Sequence, residues 1–306
     1  MTIPTSDSEY HQIIILGCGP SSLSAAIQLK RANIPFLLIA DEMGGLVRNA
    51  NLIENLLGFP GGISGKKFAA IMEKFIETYQ VPVLYSKVID VRMEKKQFWV
   101  TSYQHLIFNC DYLIIGTGTI PNLLQIPGEI EAFSKYLLFY ELYRFKDKRE
   151  GLRIGIVGGG DAAYDYALNL GNSTNTIEIL QRRKESSALP ILINRVQEKQ
   201  NIGVTFEIVV KTIIVGEERL ELEMDTPTGL ILKTYDFLFV TIGRSPNMSF
   251  LSPELKELFL EGSASDLVNA KIWFIGDIKN KNRRQLAIAM GDGIKAAMDI
   301  TAMLHK

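Results

Sequence analysis

Residues 12–30 read QIIILGCGPSSLSAAIQLK, and residues 35–40 follow as PFLLIA. Gln12–Leu16 is a short apolar run with the composition of a buried strand. Gly17-Cys18-Gly19-Pro20-Ser21-Ser22 is a glycine turn, residues 23–32 have helical spacing, and PFLLIA is a second buried strand. Strand, tight turn, helix and strand within about 30 residues is the context that makes a G-x-G turn a dinucleotide site. Its glycines let the backbone approach a pyrophosphate, and the helix start supplies free N–H groups and a positive dipole end. Ser22 fills the third small position, a mild departure from Gly or Ala.

The device recurs. LRIGIV (152–157) is a strand, and Gly158-Gly159-Gly160-Asp161-Ala162-Ala163 is the turn. YDYALNLG (164–171) is a helix and TIEILQ (176–181) the next strand. Two such units predict an α/β fold with two Rossmann-like domains. The residue ending the second strand of each unit reads the ribose. An acid there suits a 2′-hydroxyl, and arginine nearby suits a 2′-phosphate. In the second unit that residue is Gln181, followed by Arg182, Arg183 and Lys184, which favours NADPH with NADH as the alternative. In the first unit it is Ala40, with Asp41 and Glu42 displaced just beyond.

The bulk composition is that of an ordinary globular chain. The chain has 306 residues, 47% hydrophobic and 22% charged, with a net charge of −1. No global field points to nucleic acid or to an anionic membrane. No apolar run reaches the ~20 residues that a spanning helix needs. The polar start, MTIPTSDSEYHQ, lacks a signal-peptide pattern, so the expected location is the cytoplasm. His11, His105 and His305 have no metal-ligand spacing. The two cysteines, Cys18 and Cys110, form no disulfide framework. Cys18 reads as a small residue packed at a strand end, with some reactivity left open by the adjacent helix start. Cys110, just before DYLIIG, reads as edge packing.

Further stretches carry a resemblance. DYLIIGTGTIPNLLQIPGE (111–129) and FLFVTIGRSPN (237–247) resemble the two hinges of flavoproteins with two dinucleotide-binding domains. IWFIGD (272–277) and RRQLAIAMGDGIKAAMDI (283–300) resemble their closing FAD motif. EMGGLVRNANLIENLLGFPGGISG (42–65) resembles the flavin-edge loop of the low-molecular-weight thioredoxin reductase family. The resemblance implies an FAD domain (1–116 and 245–306) interrupted by an NAD(P)H domain (117–244). It implies FAD contacts at Gly17, Gly19, Pro20, Ser21, Ser22, Asp41, Glu42, Gly44, Gly45, Leu46, Asn55, Val88, Thr117 and Gly118. It adds Gly276, Asp277 on the ribityl chain, and Arg284, Gln285 and Leu286 at a helix start under the flavin. For the nicotinamide cofactor it implies Gly158, Gly159, Gly160, Asp161, Ala162, Arg182, Arg183, Ile242 and Gly243. A homodimer through the FAD domain is expected on the same ground.

The departures bear on function. Members that reduce thioredoxin carry Cys-x-x-Cys before the second glycine turn. Here that stretch is EAFSKYLLFYELYRFKDKREGLRIGIVGGG (131–160), which has no cysteine. Leu46 stands where the family has glutamine, Gln181 replaces a histidine, and a third arginine is absent from KESSALP. The stretch around 137–168 resembles the dithiol-free ferredoxin–NADP reductases of this type. Those carry a C-terminal extension over the flavin, whereas this sequence ends soon after its last helix. No side chain is required as a nucleophile or general acid, since the flavin carries the chemistry. Three readings follow. The first is an NAD(P)H-dependent flavoprotein passing electrons directly to a ferredoxin-like protein, a small molecule or oxygen. The second is a ferredoxin-reduced flavoenzyme, and the third a non-catalytic FAD/NADP-binding regulator. Lys279, Lys281, Arg283 and Arg284 form a candidate docking patch for an acidic ferredoxin or flavodoxin.

Overall fold

The computed structural model describes residues 8–171 and 174–305. The first seven residues, on which part of the signal-peptide reading rests, lie outside it. The chain opens with β1 (Ser8–Cys18), α1 (Pro20–Arg31) and β2 (Leu37–Met43). After the flavin-edge loop come α2 (Gly65–Tyr79), β3 (Val83–Tyr85), β4 (Val88–Glu94), β5 (Gln97–Ser102) and β6 (Ile107–Ile115). Ile13, Ile14, Ile15 and Leu16 are fully buried, as a parallel strand covered on both faces requires. The strand order is β3-β2-β1-β6-β5-β4, with β5 and β4 antiparallel.

The inserted domain begins with β7 (Thr119–Pro121), α3 (Glu129–Ser134) and β8 (Leu138–Phe139). It continues with β9 (Arg153–Val157), α4 (Asp161–Leu170), β10 (Thr176–Leu180), α5 (Pro190–Gln197) and β11 (Ile202–Thr205). Then follow β12 (Val209–Val215), β13 (Leu220–Thr226), β14 (Gly229–Tyr235), β15 (Phe237–Val240) and β16 (Arg244–Pro246). Its parallel sheet runs β11-β10-β9-β15-β8, and β12-β13-β14 form a separate antiparallel layer. The two hinge segments meet, since β7 and β16 pair antiparallel, Thr119 opposite Pro246. The chain then returns through α6 (Pro253–Glu261), α7 (Ala264–Asn269), β17 (Ile272–Phe274) and α8 (Leu286–Leu304). β17 pairs with the second half of β6, completing the first sheet. Two Rossmann-like sheets, one inserted in the other, are the predicted fold.

α8 lies directly on α1. A Cβ at Gly293 would stand 1.9 Å from the Ser21 carbonyl oxygen, so glycine is what lets the last helix press against the first glycine turn.

Two local readings change. Cys110 is not at an edge. It lies inside β6, opposite His11 of β1 and Phe98 of β5, and is fully buried. The polar Asn109 and Asp111 beside it hid the start of the strand. β2 runs past Ala40 to Met43, so Asp41 and Glu42 continue the strand. A register irregularity opposite Cys18 accommodates them.

Candidate active site

The first glycine turn is built by two different constraints. Gly17 has φ +94°, and a Cβ there would lie 2.5 Å from the Gly116 carbonyl oxygen. Gly19 has extended backbone, and no atom lies within 4 Å of where its Cβ would be. That open space faces the cavity, so the chain approaches a ligand through Gly19 and its own β6 through Gly17. Pro20 occupies the first helical position, and no side chain caps α1. Its unpaired N–H groups therefore meet the cavity with the positive end of the helix dipole. Ser22 is fully buried, its Oγ 3.4 Å from the carbonyls of Leu16 and Gly116. The Ser22 hydroxyl at the third position thus ties the ends of β1 and β6.

A continuous cavity of about 1650 Å³ runs from this turn to the start of α4. Ser21, Asp41, Glu42, Gly45, Leu46 and Val88 line one part of it. Thr117, Gly118, Asp277, Arg284, Gln285 and Leu286 line another. Asn55 Nδ2 donates to Gln285 Oε1 at 2.6 Å, and Thr117 Oγ1 donates to the Asn247 carbonyl at 3.1 Å. Gly44 and Gly276 stand behind the wall, with N–H groups donating to the Cys18 carbonyl and to Asp292 Oδ2. Arg284 Nη2 donates to the Arg244 carbonyl at 3.1 Å, while its Nε is buried without a partner. Burial raises the Asp277 carboxyl above its usual range, although the Arg284 charge opposes it.

The second turn opens on the same cavity through Asp161 and Ala162. Gly158, with φ +154°, packs on Thr241, and Gly159 packs on Gln181. The Gly159 carbonyl accepts from Ser187 N–H at 2.9 Å and from Ser186 Oγ at 3.0 Å. A Cβ at Gly160 would meet only Ser187 Oγ, 3.7 Å away. Asp161 accepts from the Leu189 N–H at 2.8 Å, which holds the start of α5 beside the turn. Gln181 is buried, its Nε2 donating to the Tyr164 hydroxyl at 2.7 Å and its Oε1 without a partner. Arg182 and Arg183 are exposed beyond β10, outside the cavity wall. Ile242 and Gly243 lie in the return hinge, with Gly243 (φ +98°) against the Asn122 side chain; neither lines the cavity.

These features fit the groups the turns imply. The open face of Gly19 and the uncapped α1 suit a pyrophosphate. The unpartnered Arg284 Nε and the half-buried Asp277 suit a polar chain between that phosphate and a ring at Leu46 and Gln285. No cluster of three or more His, Cys, Asp or Glu side chains able to hold a metal is present among the described residues. No helix among them is long and apolar enough to cross a membrane.

The stretch that lacks the dithiol carries polar contacts instead. Glu141 accepts from Arg244 Nη1 at 2.8 Å and from Asn49 Nδ2 at 2.5 Å. The Tyr143 hydroxyl donates to Glu42 Oε1, and the Arg48 guanidinium lies 3.7 Å over the Tyr143 ring. Arg48 and Arg144 both pair with Glu42, at 2.7 and 3.2 Å. Burial alone would raise the Glu42 carboxyl, but the Arg48 and Tyr143 bonds outweigh it and hold it below its usual value. Asp165, one turn beyond Asp161, accepts from the Asn51 N–H at 2.8 Å, and burial pushes its carboxyl up to about 6. Arg48, Tyr143, Asp165 and Arg244 escaped the sequence reading. Only the i, i+4 spacing of Asp161 and Asp165 could have pointed to any of them.

Both cysteines are buried thiols. Cys18 is 2% exposed, and burial raises its thiol to about 11 despite the adjacent helix start. Burial raises Cys110 further. Cys110 pairs with His11, seven positions before Cys18 on β1, which separates the two thiols by roughly 23 Å. The basic patch is also thinner than it reads. Lys279 pairs with Asp292 at 2.9 Å and Arg284 turns inward, which leaves Lys281 and Arg283 exposed.

Comparison with known proteins agrees with this architecture. The chain is 27% identical to a thioredoxin reductase of Vibrio cholerae, over 96% of each chain. It is 28% identical to a glucosaminate ammonia-lyase of Pseudomonas fluorescens, over 95% of this chain and 94% of that one. Its fold matches a Lactococcus lactis thioredoxin reductase structure with TM-score 0.82 and 23% identity, covering 97% of this chain and all of that one. The family described as pyridine nucleotide-disulphide oxidoreductase matches residues 11–293. With both dinucleotide turns on one cavity, the chain belongs to this family of flavoprotein oxidoreductases, which use FAD and NAD(P)H.

Proposed function

We propose that this enzyme oxidises NAD(P)H and passes the electrons from its flavin directly to an acceptor, without a protein dithiol. One observation carries the reading. Glu141, Tyr143 and Arg144 occupy the stretch before the second glycine turn, and the only two thiols are buried and roughly 23 Å apart. A bound flavin would supply the two-electron relay between reduced nicotinamide and the acceptor.

The protein's part is placement. The α1 start and the Gly19 backbone would hold the FAD pyrophosphate, Asp277 the ribityl hydroxyls, and Arg284 a polar atom of the same cofactor. The second turn and the start of α4, with Asp161 and Ala162 on the cavity, would take the pyrophosphate of the nicotinamide cofactor. Arg182 and Arg183 favour a 2′-phosphate, hence NADPH over NADH. Apolar Leu46 at the flavin edge removes a hydrogen bond and so shifts the flavin potential. A small acceptor is favoured over an acidic carrier protein, because only Lys281 and Arg283 of the four loop cations point outward without an ion pair or an inward bond.

Anaerobic titration of the purified holoprotein tests the reading. NADPH should bleach the visible flavin band with about one equivalent, and a small-molecule acceptor should restore it. Retained FAD that neither NADPH nor NADH can bleach would refute it.

A further inference from the structure

All the polar ties described above between the inserted domain and the flavin-edge loop fall on one stretch, residues 42–54. Glu42 and Arg48 meet Tyr143 and Arg144. Asn49 meets Glu141, and its Oδ1 also accepts from the Tyr143 N–H at 3.1 Å. The Asn51 N–H meets Asp165 of α4. Glu54 takes a bidentate pair from Arg195 of α5, at 2.6 and 2.8 Å. The inserted domain is thus held at three separated places: residues 141–144, α4 and α5. A fourth tie acts at the hinge, where Arg284 Nη2 of the FAD domain donates to the carbonyl of Arg244, whose guanidinium in turn donates to Thr119 Oγ1, the Thr119 carbonyl and Glu141.

We propose that these contacts are a lock, with Tyr143 at its centre, that keeps the NAD(P)H domain in this one orientation through the whole catalytic cycle. The inference rests on the function proposed above. The physical case is that a dithiol must alternate with nicotinamide at the flavin, and this chain has no dithiol to alternate. The segment freed of that task is used for attachment. Glu42 is held ionised by the groups it binds, so the charged ties persist at neutral pH. Both glycine turns already open on one cavity, so reduction of the flavin needs no rearrangement, and the acceptor reaches it in the same arrangement. Tyr143, Arg144 and Arg195 are positioning residues; Tyr143 and Arg144 also line the cavity, whereas Arg195 does not.

Distance measurement tests the lock without reference to turnover. Lys67 on α2 and Lys199 after α5 are exposed, whereas both native thiols are buried. Spin labels on the Lys67→Cys/Lys199→Cys holoprotein should therefore report one distance, unchanged by NADP⁺. Adding Tyr143→Ala should broaden it or add a second population. The apparent affinity for NADP⁺ should fall in proportion to the fraction displaced, roughly two- to tenfold. Two populations in the parent, or a shift on adding NADP⁺, would overturn the lock.

A second arm ties Glu54→Cys to Arg195→Cys with a short bis-maleimide. Turnover should stay within about threefold of the untied double variant, and the tie should restore NADP⁺ affinity when Tyr143→Ala is present. A larger loss on tying would show that rotation is needed. If NAD(P)H fails to reduce the flavin of the untied chain, the proposed function falls, and the distance measurement still decides the lock.

Discussion

Replacing Gly19 with alanine should separate cofactor binding from folding. Gly19 has φ −83° and ψ −179°, a conformation that alanine adopts freely, and nothing in the protein lies within 4 Å of the added methyl. Loss of a glycine helix cap costs about 1 kcal/mol, while the stiffer unfolded chain returns roughly 0.4–1 kcal/mol. The apoprotein should therefore keep its stability to within about 1 kcal/mol. The methyl projects into the cavity where a pyrophosphate would meet the backbone. Losing two N–H bonds to a charged phosphate, at about 1.5–3 kcal/mol each, weakens FAD binding by about 3–6 kcal/mol, or roughly 150- to 20,000-fold.

Gly17→Ala is the contrast. Its φ of +94° and the 2.5 Å approach to the Gly116 carbonyl should destabilise even the apoprotein. Backbone strain of about 1–2 kcal/mol and overpacking of about 1–3 kcal/mol add to roughly 2–5 kcal/mol. The assay is urea denaturation of deflavinated protein beside FAD titration followed by flavin fluorescence. If Gly19→Ala bound FAD like the parent, or unfolded as readily as Gly17→Ala, the placement of the cofactor over Gly19 would be refuted.

Other outcomes follow from single sites. Cys18→Ala and Cys110→Ala should leave FAD content and NADPH oxidation near the parent level, and the native protein should resist thiol reagents until unfolded. Loss of turnover with FAD retained would restore a redox role to a cysteine. Asp165 titrates near 6 in the fold against ~3.9 unfolded, so its protonation favours the native state. That stability is fully present below about pH 4 and is lost as pH rises through 6, a change of about 3 kcal/mol. In Asp165→Asn this downward slope should vanish from the urea midpoint measured between those pH values. Arg182→Ala and Arg183→Ala should each raise KM for NADPH by roughly 10- to 100-fold, as loss of a charged phosphate bond does, and leave KM for NADH unchanged. Equal effects on both cofactors would mean that these arginines do not read the 2′-phosphate.

Much of the architecture was legible in the chain because it is local. Each strand–turn–helix–strand unit spans about 30 residues, and its glycines and hydrophobic periods report contacts made within it. The hinges were legible as echoing segments, and β7 and β16 do pair. Strand ends were less so. Asn109 and Asp111 interrupt the apolar pattern of β6, yet sheet pairing on both sides carries the strand through Cys110.

The sequence by itself determined the two dinucleotide turns, the family they belong to, and the absence of a cysteine pair where a dithiol would stand. The tertiary structure alone decided what fills that place. Glu42 and Tyr143 are 101 residues apart, and Asn51 and Asp165 are 114 apart. No period or spacing links them, because each pair is made by packing one domain on the other. The same holds for the thiols. A helix start can lower a thiol's pKa, but burial raises that of Cys18. The charge of a group follows from its surroundings, and those are assembled only when distant segments meet.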